Sequence, residues 1–131
     1  MEKITKVSRI IKKLYYKIFI ENYNKKISYN FPVDYFRWDL IKYLHEKYEF
    51  NTYLEIGCDK DQLFSRINIS KKFGVDPFSG GNIRKTSDEF FKDNKETFDL
   101  VFIDGLHEYS QVKKDILNSL KFLNKNYLAL L

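Results

Sequence analysis

The sequence predicts an α/β fold, a parallel sheet flanked by helices, and three observations predict it. Phe98-Asp-Leu-Val-Phe-Ile-Asp104 is a nearly continuous apolar run closed by an acid, as suits a strand buried on both faces. Two shorter runs, Thr52–Gly57 and Lys72–Pro77, have the same form and end on glycine or on Asp76-Pro77. Between and around them lie stretches of helical period.

Taken in order, Ile4, Val7, Ile10, Ile11, Leu14 and Ile18 recur at helical spacing, with Lys6, Arg9, Lys13 and Lys17 on the opposite arc. This basic amphipathic helix and the polar linker at 21–31 form a first unit, 1–31, and a second spans 32–131. Pro32 suits the first turn of the next helix, which Phe36, Leu40, Tyr43, Leu44 and Lys47 continue. Strand Thr52–Gly57 follows, then a helical stretch Gln62–Ile67 and strand Lys72–Pro77. Asn82–Thr86 reads as a third, short strand, and Ser87 as the N-cap of a helix through Phe91. After Phe98–Asp104, Tyr109–Leu123 is a helix with Val112, Ile116, Leu120 and Leu123 on its apolar face, and Tyr127–Leu131 opens another strand.

The charge is unevenly placed. Residues 1–30 hold eight Lys/Arg against two acids, +6 of a chain total of +5, so the other 101 residues carry −1. A near-neutral body offers no positive groove for phosphates, and no nucleic-acid partner is expected. Over residues 4–20 two readings stand: a weak contact with an anionic membrane surface, or a helix packed on the domain or a partner with solvated lysines. The lone Cys58 rules out an internal disulfide and a multi-cysteine zinc site, and a reducing, cytoplasmic setting is expected. No metal site is expected. No apolar run reaches the roughly 20 residues that span a bilayer.

In open parallel sheets ligands bind beyond the carboxyl ends of the strands, which directs attention to Glu55, Asp76, Asp88 and Asp104. Leu54-Glu-Ile-Gly57 ends a strand in a carboxylate and a glycine that lets a ligand approach the backbone. The G-x-G-x-x-G fingerprint is absent. Asp59 and Asp61 stand where a pyrophosphate needs bare N–H groups, so a cofactor without phosphates, carrying a sulfonium and an ammonium, fits better. Asp76 follows Gly57 by 19 residues, the offset of a ribose-binding acid; capping the turn before Pro77 is its alternative role. Phe102-Ile-Asp-Gly-Leu-His-Glu-Tyr109 delivers Asp104 and His107 into a loop. Asp104 could hold the cofactor's amino-acid end, ligate a metal or orient substrate; His107 could serve as a general base or as a structural loop residue.

Four segments occur in a telling order: Tyr53-Leu-Glu-Ile-Gly-Cys58, Gly74-Val-Asp-Pro77, Gly80 to Phe91, and Phe98 to His107. Together they resemble a bacterial group of class I S-adenosylmethionine-dependent methyltransferases, over about residues 33–131. The resemblance implies a Rossmann-like methyltransferase fold and S-adenosylmethionine as cofactor. It implies that Glu55 and Gly57 line the methionine part, that Asp76 binds the ribose, that Thr86, Ser87 and Asp88 lie near the adenine, and that Asp104 closes the site near the transferred methyl. Asp104 and His107 are the expected catalytic residues. The sequence departs from the wider class at Asp61, where glycine is commoner, and the short span from Asp76 to Asp104 implies a Gly80-Gly81 loop in place of a helix. It also implies strands beyond residue 131, so the chain is expected to lack the C-terminal strands, to carry mainly the cofactor half, and to self-associate through an exposed sheet edge. The acceptor is unidentified. A non-catalytic cofactor-binding remnant or interaction module is the alternative, and a nucleotide-binding oxidoreductase is disfavoured by the missing glycines.

Overall fold

The computed structural model describes residues 34–130; the basic helix over 4–20 and the linker lie outside them. Helix α1 is Arg37–Tyr48, strand β1 Thr52–Ile56, β2 Lys71–Val75, helix α2 Ser87–Asp93, β3 Phe98–Ile103, α3 Tyr109–Phe122 and β4 Leu123–Leu130, with one short 3-10 helix at Phe64–Arg66. The strands lie in the order β2-β1-β3-β4, and every pairing is parallel. The predicted α/β class, with a parallel sheet flanked by helices, is the class found.

Burial on both faces explains the apolar strands. Tyr53 and Leu100 meet Ile41 of α1, Phe50, Leu63, Phe64, Ile67 and Ile69 on one face. On the other, Leu54, Ile56, Val75, Val101 and Ile103 pack with Phe90 and Phe91 of α2. The faces alternate along β1, as a period of two requires. A register shift against β4 between Phe98 and Leu100 accompanies the placement of Phe98 in the second cluster. At the amino end of the sheet, the buried Asp99 carboxylate accepts the N–H groups of Asn51 (2.8 Å) and Thr52 (3.0 Å) and the side-chain amide of Asn124 (2.6 Å). It thus ties the starts of β1, β3 and β4 together. Burial alone would raise its pKa, but these donors hold it below the ordinary value.

Six sequence expectations are corrected. Residues 34–36 precede α1 in non-helical conformation, so that helix begins at Arg37, with Asp39 accepting from the Phe36 N–H at 2.9 Å, rather than at Pro32. Gln62–Ile67 shrinks to the single 3-10 turn. Asn82–Thr86 is not a strand but a loop with one bridge, Val75 to Ile83. Thr86, not Ser87, caps α2: its Oγ1 accepts the Glu89 N–H at 3.3 Å while Glu89 Oε2 accepts the Thr86 N–H at 2.9 Å. The buried line of α3 is Asp115 and Ser119, while Leu120 is exposed. β4 begins directly after α3, earlier than Tyr127. The loop between β2 and α2 does turn at Gly80 and Gly81, as the short span implied. Among the described residues no helix is long and apolar enough to cross a membrane.

Candidate functional site

The carboxyl ends of β1, β2 and β3 open into a cleft of about 530 Å³, walled on the far side by the start of α2 and by α3. That volume lies within the roughly 300–1,000 Å³ usual for small-molecule sites. Ile56 and Val75 form its apolar floor, and Phe78 and Leu106 flank it.

Gly57 shapes the floor. Its φ of +86° is left-handed, and a Cβ there would stand 2.4 Å from the Asp104 carbonyl oxygen and 2.5 Å from Gly105 Cα. The ends of β1 and β3 therefore pass so closely that no side chain fits between them. The Gly57 N–H donates to Val75 O at 2.8 Å and the Asp104 N–H to Ile56 O at 2.8 Å, which fixes the turn after each strand.

Five aspartates, Asp59, Asp76, Asp88, Asp104 and Asp115, line the cleft, and no lysine or arginine does. Asp76 is committed to backbone. Its Oδ2 accepts the N–H groups of Cys58 (3.1 Å) and Asp59 (3.0 Å), and its Oδ1 those of Phe78 (2.8 Å) and Ser79 (2.9 Å). Burial would raise its pKa, but these four donors outweigh burial and lower it. The turn-capping role weighed for Asp76 is thus present, and a ribose hydroxyl would have to share oxygens already in use. Asp61 has φ +63°, and its Oδ1 accepts the Gly81 N–H at 2.9 Å. The aspartate at this position therefore staples the two loops across the cleft's rim, which a glycine could not do.

Thr86, Ser87 and Asp88 line the opposite wall together. The Gln111 side-chain amide joins them to α3: it donates to Ser87 Oγ (3.1 Å), Asp88 Oδ1 (3.3 Å) and Asp115 Oδ1 (3.0 Å). Gln111 and the 1 %-exposed Asp115 are site residues that the sequence reading missed. Their spacing of four on one helix face was the available signal.

Asp104 lines the cleft at the end of β3, and its carboxylate forms an ion pair with Arg37 at the start of α1. His107 does not line the cleft. Its side chain is 82 % exposed, with Nε2 3.7 Å from Asp104 Oδ1. Glu55 is also outside the lining, buried on the α1 face of the sheet, where the Tyr53 hydroxyl donates to its Oε2 at 2.6 Å. Burial pushes its pKa up to about 7, against the opposing pull of Tyr53 and Arg37. Burial likewise pushes the Cys58 thiol far up, which leaves it protonated and poor as a nucleophile. Among the described residues no group of three or more His, Cys, Asp or Glu side chains is placed to hold a metal ion.

The cleft thus gathers five aspartates at the carboxyl edge of a parallel sheet, and Arg84, Lys114 and Arg37 form ion pairs with Asp76, Asp88 and Asp104, respectively, from outside its lining. Over residues 54–130, which take in the end of β1, the other three strands and both cleft-lining helices, the chain matches the protein family described as Methyltransferase domain. No curated protein and no solved structure matches it significantly.

Proposed function

The chain belongs to the methyltransferase-domain family, and on that premise we propose that it binds S-adenosylmethionine in the acid-lined cleft and serves methyl transfer to an acceptor. The observation that carries the cofactor reading is the charge of the lining, five aspartates without a lysine or arginine. Such a wall attracts a ligand with a sulfonium and an ammonium and repels a pyrophosphate.

On this reading Thr86, Ser87 and Asp88 border the adenine, and Asp76 holds the loops on either side of the ribose. Gly57 and Asp104 border the amino-acid end. The cofactor supplies a methyl group already activated on positively charged sulfur, so the protein's work is alignment rather than bond polarisation. Asp104 is suited to that work because the Ile56 carbonyl fixes its backbone at the strand end. For an acceptor that must lose a proton, His107 is the histidine nearest the cleft mouth, held toward Asp104.

Titration calorimetry of the full chain with S-adenosylmethionine, S-adenosylhomocysteine and NAD tests the reading. Binding of the first two in preference to NAD is expected; tighter binding of NAD would overturn it.

A further inference from the structure

Asp104 lines the end of the cleft assigned above to the cofactor's amino-acid moiety, Arg37 pairs with it from outside the lining, and that moiety is itself an ion pair, an α-ammonium beside an α-carboxylate. Resting on that cofactor reading, we propose that Arg37 is the carboxylate-binding residue of the site, and that the Arg37–Asp104 pair opens to accept the zwitterion in a crossed arrangement: ammonium to Asp104, carboxylate to Arg37.

Each part of the pair is placed for this exchange. The Asp104 side chain is 32 % exposed and that of Arg37 43 % exposed, so their contact is open to solvent. An exposed pair contributes little to folding and yields easily to a better partner. The backbone beneath Arg37 is nonetheless fixed. Phe36 and Trp38 stack at 4.5 Å, the Arg66 guanidinium lies over the Trp38 ring at 4.5 Å, and the Asp39 carboxylate accepts the Phe36 N–H. A rigid base beneath a planar guanidinium suits bidentate capture of a carboxylate once the pair opens.

The other cations near the cleft's acids meet different partners. Arg84 donates to the backbone carbonyls of Asp76 (2.9 Å) and Gly80 (3.0 Å) and stands 3.8 Å from Asp76 Oδ1, and Lys114 meets Asp88 at the adenine end. Among the described residues, Arg37 is the cation paired with Asp104.

The test compares two ligands that share adenosine and sulfur but differ at this end: S-adenosylhomocysteine, which carries the amino acid, and 5′-methylthioadenosine, which does not. Calorimetry on the full chain gives a preference ratio for wild type, Arg37→Gln and Arg37→Lys. Wild type is expected to prefer S-adenosylhomocysteine by about tenfold or more, the scale of a charged hydrogen-bonded contact. Arg37→Gln should reduce the ratio toward one while leaving affinity for 5′-methylthioadenosine within about twofold, which also shows that the variant is folded. Arg37→Lys should fall between, because it keeps the charge and loses the fork. If Arg37→Gln does not fold, the same comparison rests on Arg37→Lys. A wild-type preference retained in the variants overturns this inference alone; a wild-type chain that binds neither ligand removes the cofactor reading and this inference with it.

Discussion

Substituting Gly57 by alanine should cost far more stability than the same change at Gly105. The added Cβ would stand 2.4 Å from Asp104 O, 2.5 Å from Gly105 Cα and 2.6 Å from Asp104 C, and all three atoms are backbone at the end of a central strand. None can swing aside as a flexible side chain would. The residue also sits at φ +86°, where an L side chain costs about 1–2 kcal/mol. Forcing β1 and β3 apart adds about 1–3 kcal/mol of overpacking, for a total of about 2–5 kcal/mol. That is a large share of the roughly 5–15 kcal/mol that holds a typical domain together. Gly105→Ala is the internal control. Its Cβ would meet Ile56 Cγ2 at 3.4 Å, an ordinary contact, outside the left-handed range of φ. A change within about 0.5 kcal/mol is expected there. Urea unfolding followed by circular dichroism on the full chain measures both. A Gly57→Ala midpoint equal to wild type, or no lower than that of Gly105→Ala, would refute the claim that the strand ends close on this glycine.

Other outcomes follow from the acids. Removing the four-donor acceptor in Asp76→Ala should destabilise by about 2–4 kcal/mol, with Asp76→Asn milder, as read by chemical denaturation. Because the folded pKa values of Asp76 and Asp99 are depressed, the stability they confer is present above about pH 4 and is lost as pH falls below that, which an acid titration of unfolding would follow. Glu55 works in the opposite sense: its pKa rises from 4.5 to about 7 on folding, so the folded chain binds the extra proton and stability declines as pH rises through that window. Glu55→Gln should flatten the decline, which amounts to at most about 3 kcal/mol for a shift of this size. Asp104→Ala should weaken binding of S-adenosylhomocysteine by about tenfold, while His107→Ala, whose ring lies outside the cleft, should leave it within about twofold. The outer edge of β4 is unpaired among the described residues, and sedimentation velocity should detect concentration-dependent self-association through it; a concentration-independent monomer would count against that edge.

Much of this fold was legible because strands buried on two faces write themselves as apolar runs. Thr52–Gly57, Lys72–Pro77 and Phe98–Asp104 each coincide with an observed strand to within two residues at either end. The carboxyl-edge rule then singled out Glu55, Asp76, Asp88 and Asp104, and the last three line the cleft. Errors arose where the local signal was ambiguous. Thr86 and Ser87 are adjacent and both good caps, and only the Glu89 side chain reaching back to the Thr86 N–H decides between them. The α3 stripe failed for a different reason: that helix walls the cleft with Gln111 and Asp115, so an acid takes a buried position where an apolar side chain would be expected; nothing in the structure explains the buried Ser119. Glu55 was drawn to the cofactor by its place at a strand end, but the period of two turns it to the face opposite Ile56. Arg37 was invisible because its partner is 67 residues away in sequence.

The most direct test of the central claim is a crystal structure of the full chain grown with S-adenosylhomocysteine. The account predicts adenosine in the cleft between the Ile56–Val75 floor and the Ser87–Asp88 wall, with the amino-acid end beside Gly57 and Asp104. Ligand bound away from the carboxyl edge of the sheet, or a cleft that takes up NAD with its pyrophosphate against Asp59 and Asp76 instead, would contradict it.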